Sequence, residues 1–109
     1  MARIALDKKA KDILILDLRG LTIIADYFVI CSGGSTTHVR AIAESIEEKS
    51  KKAGIKIIGI EGLTHSRWVL IDYGDLIVHV FEEGMRSFYE IEKLWMDARS
   101  IPIGEIVNE

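Results

Sequence analysis

Residues 67–81, RWVLIDYGDLIVHVF, restrict the fold of this chain more than any other segment. They divide into two strand-length apolar runs, 67–72 and 75–81, with Tyr73-Gly74 between them. Both runs are rich in β-branched and aromatic residues, which suit a pleated strand. Gly74 can adopt the positive φ that a two-residue hairpin loop requires. The segment is therefore expected to be a hairpin turning at Tyr73-Gly74, with one carboxylate on each side of the turn, Asp72 and Asp75. In so apolar a stretch, these two acids and Trp68 stand out as candidates for recognition.

The rest of the chain supplies elements to pack against that hairpin. Residues 4–10 read as a short helical remnant, 13–18 (ILILDL) as a first strand and 27–32 (YFVICS) as a second. Gly33-Gly34-Ser35 breaks the pattern, and Ser35 or Thr36 can cap a helix running to about Ala53. Val39, Ile42, Ala43, Ile46 and Ala53 fall on one face of it at helical spacing. Lysines crowd its C-terminal end, where they suit the helix dipole, and Gly54 fits the position after it. Residues 55–60 read as a third strand, 61–66 as a loop and 83–95 as a last helix. Its apolar stripe runs through Met85, Phe88, Ile91, Leu94 and Trp95. These elements predict a layered α/β/α domain with a mixed five-stranded sheet, covered on both faces by helices. Residues 1–96 form this single domain, and 97–109, which hold the one proline, form a C-terminal tail.

Length and composition narrow the function. A chain of 109 residues, 49% hydrophobic and 28% charged, is one domain with a real core. Its net charge of −3 does not favour DNA or RNA and suits a basic protein partner better. The one cysteine, Cys31, cannot form an internal disulfide, in keeping with a reducing cytoplasm. The N-terminus lacks the apolar core of a signal peptide. The longest apolar runs are of strand length, too short to span a membrane.

Four groups of residues could carry chemistry. The Ser32-Gly33-Gly34-Ser35 turn could cradle a phosphate at a helix N-terminus or simply be a capped strand-to-helix turn. It is neither a Walker A loop nor G-x-G-x-x-G. Asp72 and Asp75, with Glu61 or Asp26, could satisfy turn backbone, bind a partner or do acid–base work. His38, His65 and His79 show no metal-ligand spacing, and Cys31 in an apolar strand reads as an inert packing residue. Among the aromatics, Phe28, Phe88 and Trp95 are assigned to the core. Tyr73 is expected to point to solvent from the turn, and Trp68 to lie at the sheet's rim. Exposed aromatics beside acids have the chemistry of a protein–protein hot spot. The expected partner-binding set is Trp68, Asp72, Tyr73, Asp75, Phe81 and Glu61.

Several motifs, taken in order, resemble the ribosome silencing factor, or Iojap-like, family. Asp26-Tyr27 begins its D-Y strand. Ser32-Gly33, Ser35 and His38-Val39 match S-G-x-S-x-x-H-V, and Ile60-Glu61-Gly62 stands for V-E-G. Trp68, Asp72, Gly74, Asp75, His79 and Val80 match W-x-x-x-D-x-G-D-x-x-x-H-V. Tyr89, Ile91, Glu92, Leu94 and Trp95 match Y-x-L-E-x-L-W with isoleucine for the first leucine. The resemblance implies a nucleotidyltransferase-like topology. It also implies a translation repressor that binds the large ribosomal subunit through the universal ribosomal protein numbered fourteen and blocks joining with the small subunit. A homodimer is implied as well, with no catalytic site, metal or cofactor. The alternative is a divergent nucleotidyltransferase-type enzyme binding a nucleotide at the Ser32–Ser35 turn. That fold's paired metal-binding acids are missing after Gly34-Ser35, where only Glu44, Glu47 and Glu48 follow.

Overall fold

Strands that are apolar on both faces need cover on both, and this requirement organises the molecule. The computed structural model describes residues 8–94 and 98–101. In chain order the elements are β1 (Lys11–Asp17), β2 (Tyr27–Gly33), α1 (Thr36–Lys52), β3 (Gly59–Glu61), β4 (Trp68–Asp72), β5 (Leu76–Glu82), α2 (Glu83–Tyr89), α3 (Ile91–Leu94) and β6 (Arg99–Ser100). They build a mixed sheet in the order β3-β4-β5-β2-β1-β6. Among the described strands only β2 and β5 pair in parallel, and the chain passes between them through α1, β3 and β4; the other pairs are antiparallel.

The Ser35 hydroxyl caps α1 by accepting the His38 N–H at 3.1 Å. The helix lays Val39, Ile42, Ala43 and Ile46 on the sheet face formed by Ile15, Val29, Cys31, Val69, Ile71, Val78 and Val80. Ala53, expected on this stripe, is the C-cap and is exposed. The opposite face carries Leu16, Phe28, Ile30, Ile77 and Phe81, under Leu18 and Ala25 of the β1–β2 connection and Ile91 of α3. Both faces are thus covered, but unequally. One long helix covers the first, and two short helices and a loop cover the second.

Four expectations are corrected. The sheet has six strands among the described residues, not five: Arg99 and Ser100, assigned to the tail, pair with Asp17 and Leu16, and Ile101 N–H donates to Ile15 O at 2.9 Å. Without them, the outer edge of β1 would have unpaired backbone groups there. The third strand is only Gly59–Glu61, because Ile55 N–H still donates to Ser50 O and the chain is leaving the helix until Ile58 joins Asp72 O. The last helix is broken at Glu90, whose φ is 47°, so it forms two short helices. The hairpin loop is displaced by one residue. Asp72 faces Ile77 and Tyr73 N–H donates to Leu76 O at 2.9 Å, which puts Gly74-Asp75 at the centre. Gly74, at φ +97°, alone takes the positive angle, as in a type II′ loop. The expected helical remnant falls largely outside the described residues. Lys8 and Lys9 form a turn.

Candidate protein-interaction surface

Alternation along β4 points Trp68 and Leu70 to the face covered by the short helices, and Val69 and Ile71 to the α1 face. The Trp68 ring stacks on Phe81 of β5, opposite it in register, with centroids 4.7 Å apart and planes at 26°. Its indole N–H donates to His79 Nδ1 at 3.1 Å. Tyr89, the last residue of α2, lies tilted at 47° to the Trp68 ring at 5.0 Å, and Phe88 meets Tyr89 edge-on at 5.2 Å. His79 in turn meets the edge of Phe28 at 4.7 Å. A continuous aromatic run therefore leads from Phe88, 77% exposed, through Tyr89 and the half-buried Trp68 to the core.

Beside this run, Glu61, Gly62, Trp68 and Leu70 line a shallow pocket of about 300 Å³. Glu61 closes β3 opposite Leu70 and is exposed. Gly62 has φ +89°, and a Cβ there would collide with the Trp68 carbonyl oxygen. The loop can therefore pass close to Trp68 only with glycine at this position.

Of the six expected contact residues, the structure brings Glu61, Trp68 and Phe81 together. Phe81 is fully buried and serves as the floor beneath Trp68. Asp72, Tyr73 and Asp75 lie toward the other end of the hairpin, with Asp72 roughly 13 Å and Tyr73 roughly 17 Å from Trp68 at about 3.3 Å per strand residue. Asp72 Oδ1 accepts the Gly74 N–H at 2.7 Å and holds the turn. Tyr73 packs against the α1-side core, not out to solvent, and its hydroxyl shares a 2.6 Å hydrogen bond with Ser50 Oγ. Burial raises its pKa. Asp75 is exposed, and its backbone oxygen accepts the N–H groups of Asp26 and Tyr27.

Sequence reasoning assigned Phe88 to the core, missed Leu94, Ile23 and Ile24 as surface groups and missed Leu70 as a pocket-lining residue. Leu94 is 76% exposed and Ile23 entirely so. The Ile23-Ile24 pair within an expected connection was a usable signal. Phe88 carried none, because its exposure depends on the break at Glu90.

The remaining candidates are accounted for locally. His38 Nδ1 accepts the Gly34 N–H at 3.0 Å, and its Nε2–H donates to Lys8 O at 2.7 Å. The Ser32 hydroxyl accepts from Arg86 Nη1 at 2.9 Å. Cys31 is buried, and burial pushes its thiol up to about 12. Burial also lowers the His79 imidazole to about 4. Among the described residues no group of three or more His, Cys, Asp or Glu side chains is placed to hold a metal, and no helix is long and apolar enough to cross a membrane.

A mixed α/β sheet that leaves an aromatic run and a bordering carboxylate on one face has the makings of a protein-binding module. The chain as a whole, residues 1–109, matches the family described as "Ribosomal silencing factor during starvation", and it belongs to that family. It is 50% identical over 92 residues to the ribosomal silencing factor RsfS of Bacillus subtilis, covering 84% of this chain and 78% of that one. A more distant relative is the mitochondrial Iojap-related protein of Arabidopsis thaliana, 32% identical over 97 residues, 85% of this chain and 53% of that one. In structure it is similar to a crystallised Chromobacterium violaceum protein, with a TM-score of 0.82 at 41% identity, covering 84% of this chain and 77% of that one.

Proposed function

We propose that this protein represses translation in the cytoplasm. It docks on the large ribosomal subunit, on the universal ribosomal protein numbered fourteen, and obstructs joining of the small subunit. The aromatic run Phe88–Tyr89–Trp68 beside Glu61 carries this reading, taken with the family. Ribosomal proteins are generally basic. An acidic chain whose aromatic anchor is bordered by a carboxylate complements such a surface. The action is steric and needs no catalytic group, metal or cofactor.

In this reading Trp68 is the anchor, Glu61 and Leu70 border it, and Phe81 supports it from below. Asp75 adds an acidic contact at the far end of the hairpin, while Asp72 and Tyr73 keep that end in shape. A span of about 17 Å lies well within a standard interface. The protein also forms a two-fold dimer when free, which covers exposed apolar groups such as Leu21, Ile23 and Ile24. If the dimer uses the docking face, dimerisation and ribosome binding compete.

A nucleotidyltransferase-like topology belongs to the same reading, but nucleotide transfer at the Ser32–Ser35 turn is disfavoured. Both serine hydroxyls there already accept hydrogen bonds. Of the acids that follow, Glu44 and Glu48 are exposed on α1, and Glu48 pairs with Lys52 at 3.0 Å. Co-sedimentation with isolated large subunits, followed by light scattering of subunit joining, tests the proposal. Trp68→Ala should lose about 2 kcal/mol or more of binding. Wild-type protein that fails to co-sediment, or that binds and leaves joining unhindered, would contradict it.

A further inference from the structure

His79 occupies a position where an aliphatic side chain would be the ordinary choice. It is 5% exposed and enclosed by the edge of Phe28 and the rings of Trp68 and Phe81. Because Nδ1 accepts the Trp68 indole N–H, the ring proton sits on Nε2. That Nε2–H meets no acceptor among the described residues. A buried donor without a partner opposes folding, and an aliphatic side chain would fill this apolar space without one. What histidine offers, and an aliphatic side chain lacks, is the acceptor facing the indole. Stacking on Phe81 and a tilted contact with Tyr89 leave a ring able to slide and pivot, whereas a directional hydrogen bond fixes its orientation.

We propose that His79 is a positioning residue for the partner surface: its Nδ1 holds the Trp68 indole flat on Phe81, so that Trp68 meets the partner already ordered. This rests on the reading of Trp68 as a ribosome contact. A preordered anchor loses less side-chain freedom on binding, which strengthens association without adding a contact. The same bond keeps the indole as one wall of the pocket it shares with Glu61 and Leu70.

The test uses the full chain. Large-subunit affinity is measured for Trp68→Ala, Trp68→Phe, His79→Leu and His79→Asn, and the indole N–H resonances are followed by heteronuclear NMR. Asparagine can place an acceptor near the position of Nδ1; leucine cannot. His79→Leu should weaken binding about tenfold, the scale of one lost hydrogen bond, with the Trp68 indole proton shifting upfield and exchanging faster. His79→Asn should restore binding to within about threefold of wild type. Trp68→Phe, which keeps a ring but has no N–H, should weaken binding, and adding His79→Leu to it should cause no further loss. Folded His79→Leu protein that binds like wild type, while Trp68→Ala does not, overturns the proposal and leaves the surface reading standing. Wild-type binding by Trp68→Ala removes the surface reading and this proposal with it. If His79→Leu does not fold, Trp68→Phe decides, and wild-type affinity for that variant overturns the proposal.

Discussion

Acidification from about pH 7 to about pH 4.5 should destabilise this fold through His79. Burial alone lowers the imidazole from 6.5 to about 4 in the folded protein. The unfolded chain takes up this proton near the ordinary histidine value, and the folded chain resists it until about 4. Across that window the unfolded state binds more protons, so stability rises with pH through it and falls as pH drops. A gap of about 2.5 pH units at about 1.36 kcal/mol each amounts to about 3 kcal/mol when both states are protonated. Roughly 2 kcal/mol of that is lost by about pH 4.5, a large share of a domain stability of about 5–15 kcal/mol. The structure shows what fails: a protonated Nδ1 can no longer accept the Trp68 N–H. Urea denaturation followed by circular dichroism at the two pH values, for wild type and His79→Leu, measures the effect. Wild type should lose about 2 kcal/mol more than the variant. Equal losses would show that His79 is not the group responsible.

Four further outcomes are expected. Gly62→Ala forces an alanine into a left-handed conformation and against the Trp68 carbonyl; thermal denaturation should show a loss of about 2 kcal/mol or more. Phe88→Ala should change stability by less than about 0.5 kcal/mol, yet cost more than about 1 kcal/mol in large-subunit binding. Asp75→Lys should leave the circular dichroism spectrum intact, slow association and alter its salt dependence, with a smaller loss than Trp68→Ala. Cys31 should react with thiol reagents at neutral pH no faster than the protein unfolds globally.

The parts of the fold legible in the sequence were those where local preference and burial agree. In α1, the Ser35 cap, the apolar face from Val39 to Ile46 and the closing lysines all indicate one helix, and one helix forms. The strands β2, β4 and β5 are both β-prone and buried, so all three were readable as strands, though not the parallel pairing of β2 with β5. Errors fell where long-range geometry overrode local preference. Residues 55–58 have the composition of a strand, but they are spent turning the chain from α1 to the sheet's edge. The apolar stripe from Met85 to Leu94 suits a continuous helix, but Glu90 adopts a left-handed angle that few residues other than glycine and asparagine take readily. Arg99-Ser100 has no strand character of its own; it is strand because β1 leaves an edge open to it.

Most of the site was legible in outline but not in its grouping, and simple parity explains why. Trp68 and Tyr73 are an odd number of residues apart, so a strand carrying both directs them to opposite faces. Trp68 and Leu70 share a face, and the hairpin register sets Phe81 beside Trp68. That arithmetic separates Tyr73 from the aromatic group and adds Leu70 to it. Parity could not reveal that α2 stops where it does and leaves Phe88 and Tyr89 at the surface. The two ends of the aromatic run consequently answer differently to substitution. Phe88 is 77% exposed and meets Tyr89 only edge-on, so its loss should be felt mainly in binding. Trp68 is tied by a hydrogen bond to a buried imidazole and by stacking to the floor of the sheet, so affinity and stability change together there. An anchor joined to the core in this way can present a rigid surface to its partner, and for the same reason it is vulnerable to any change that reaches His79.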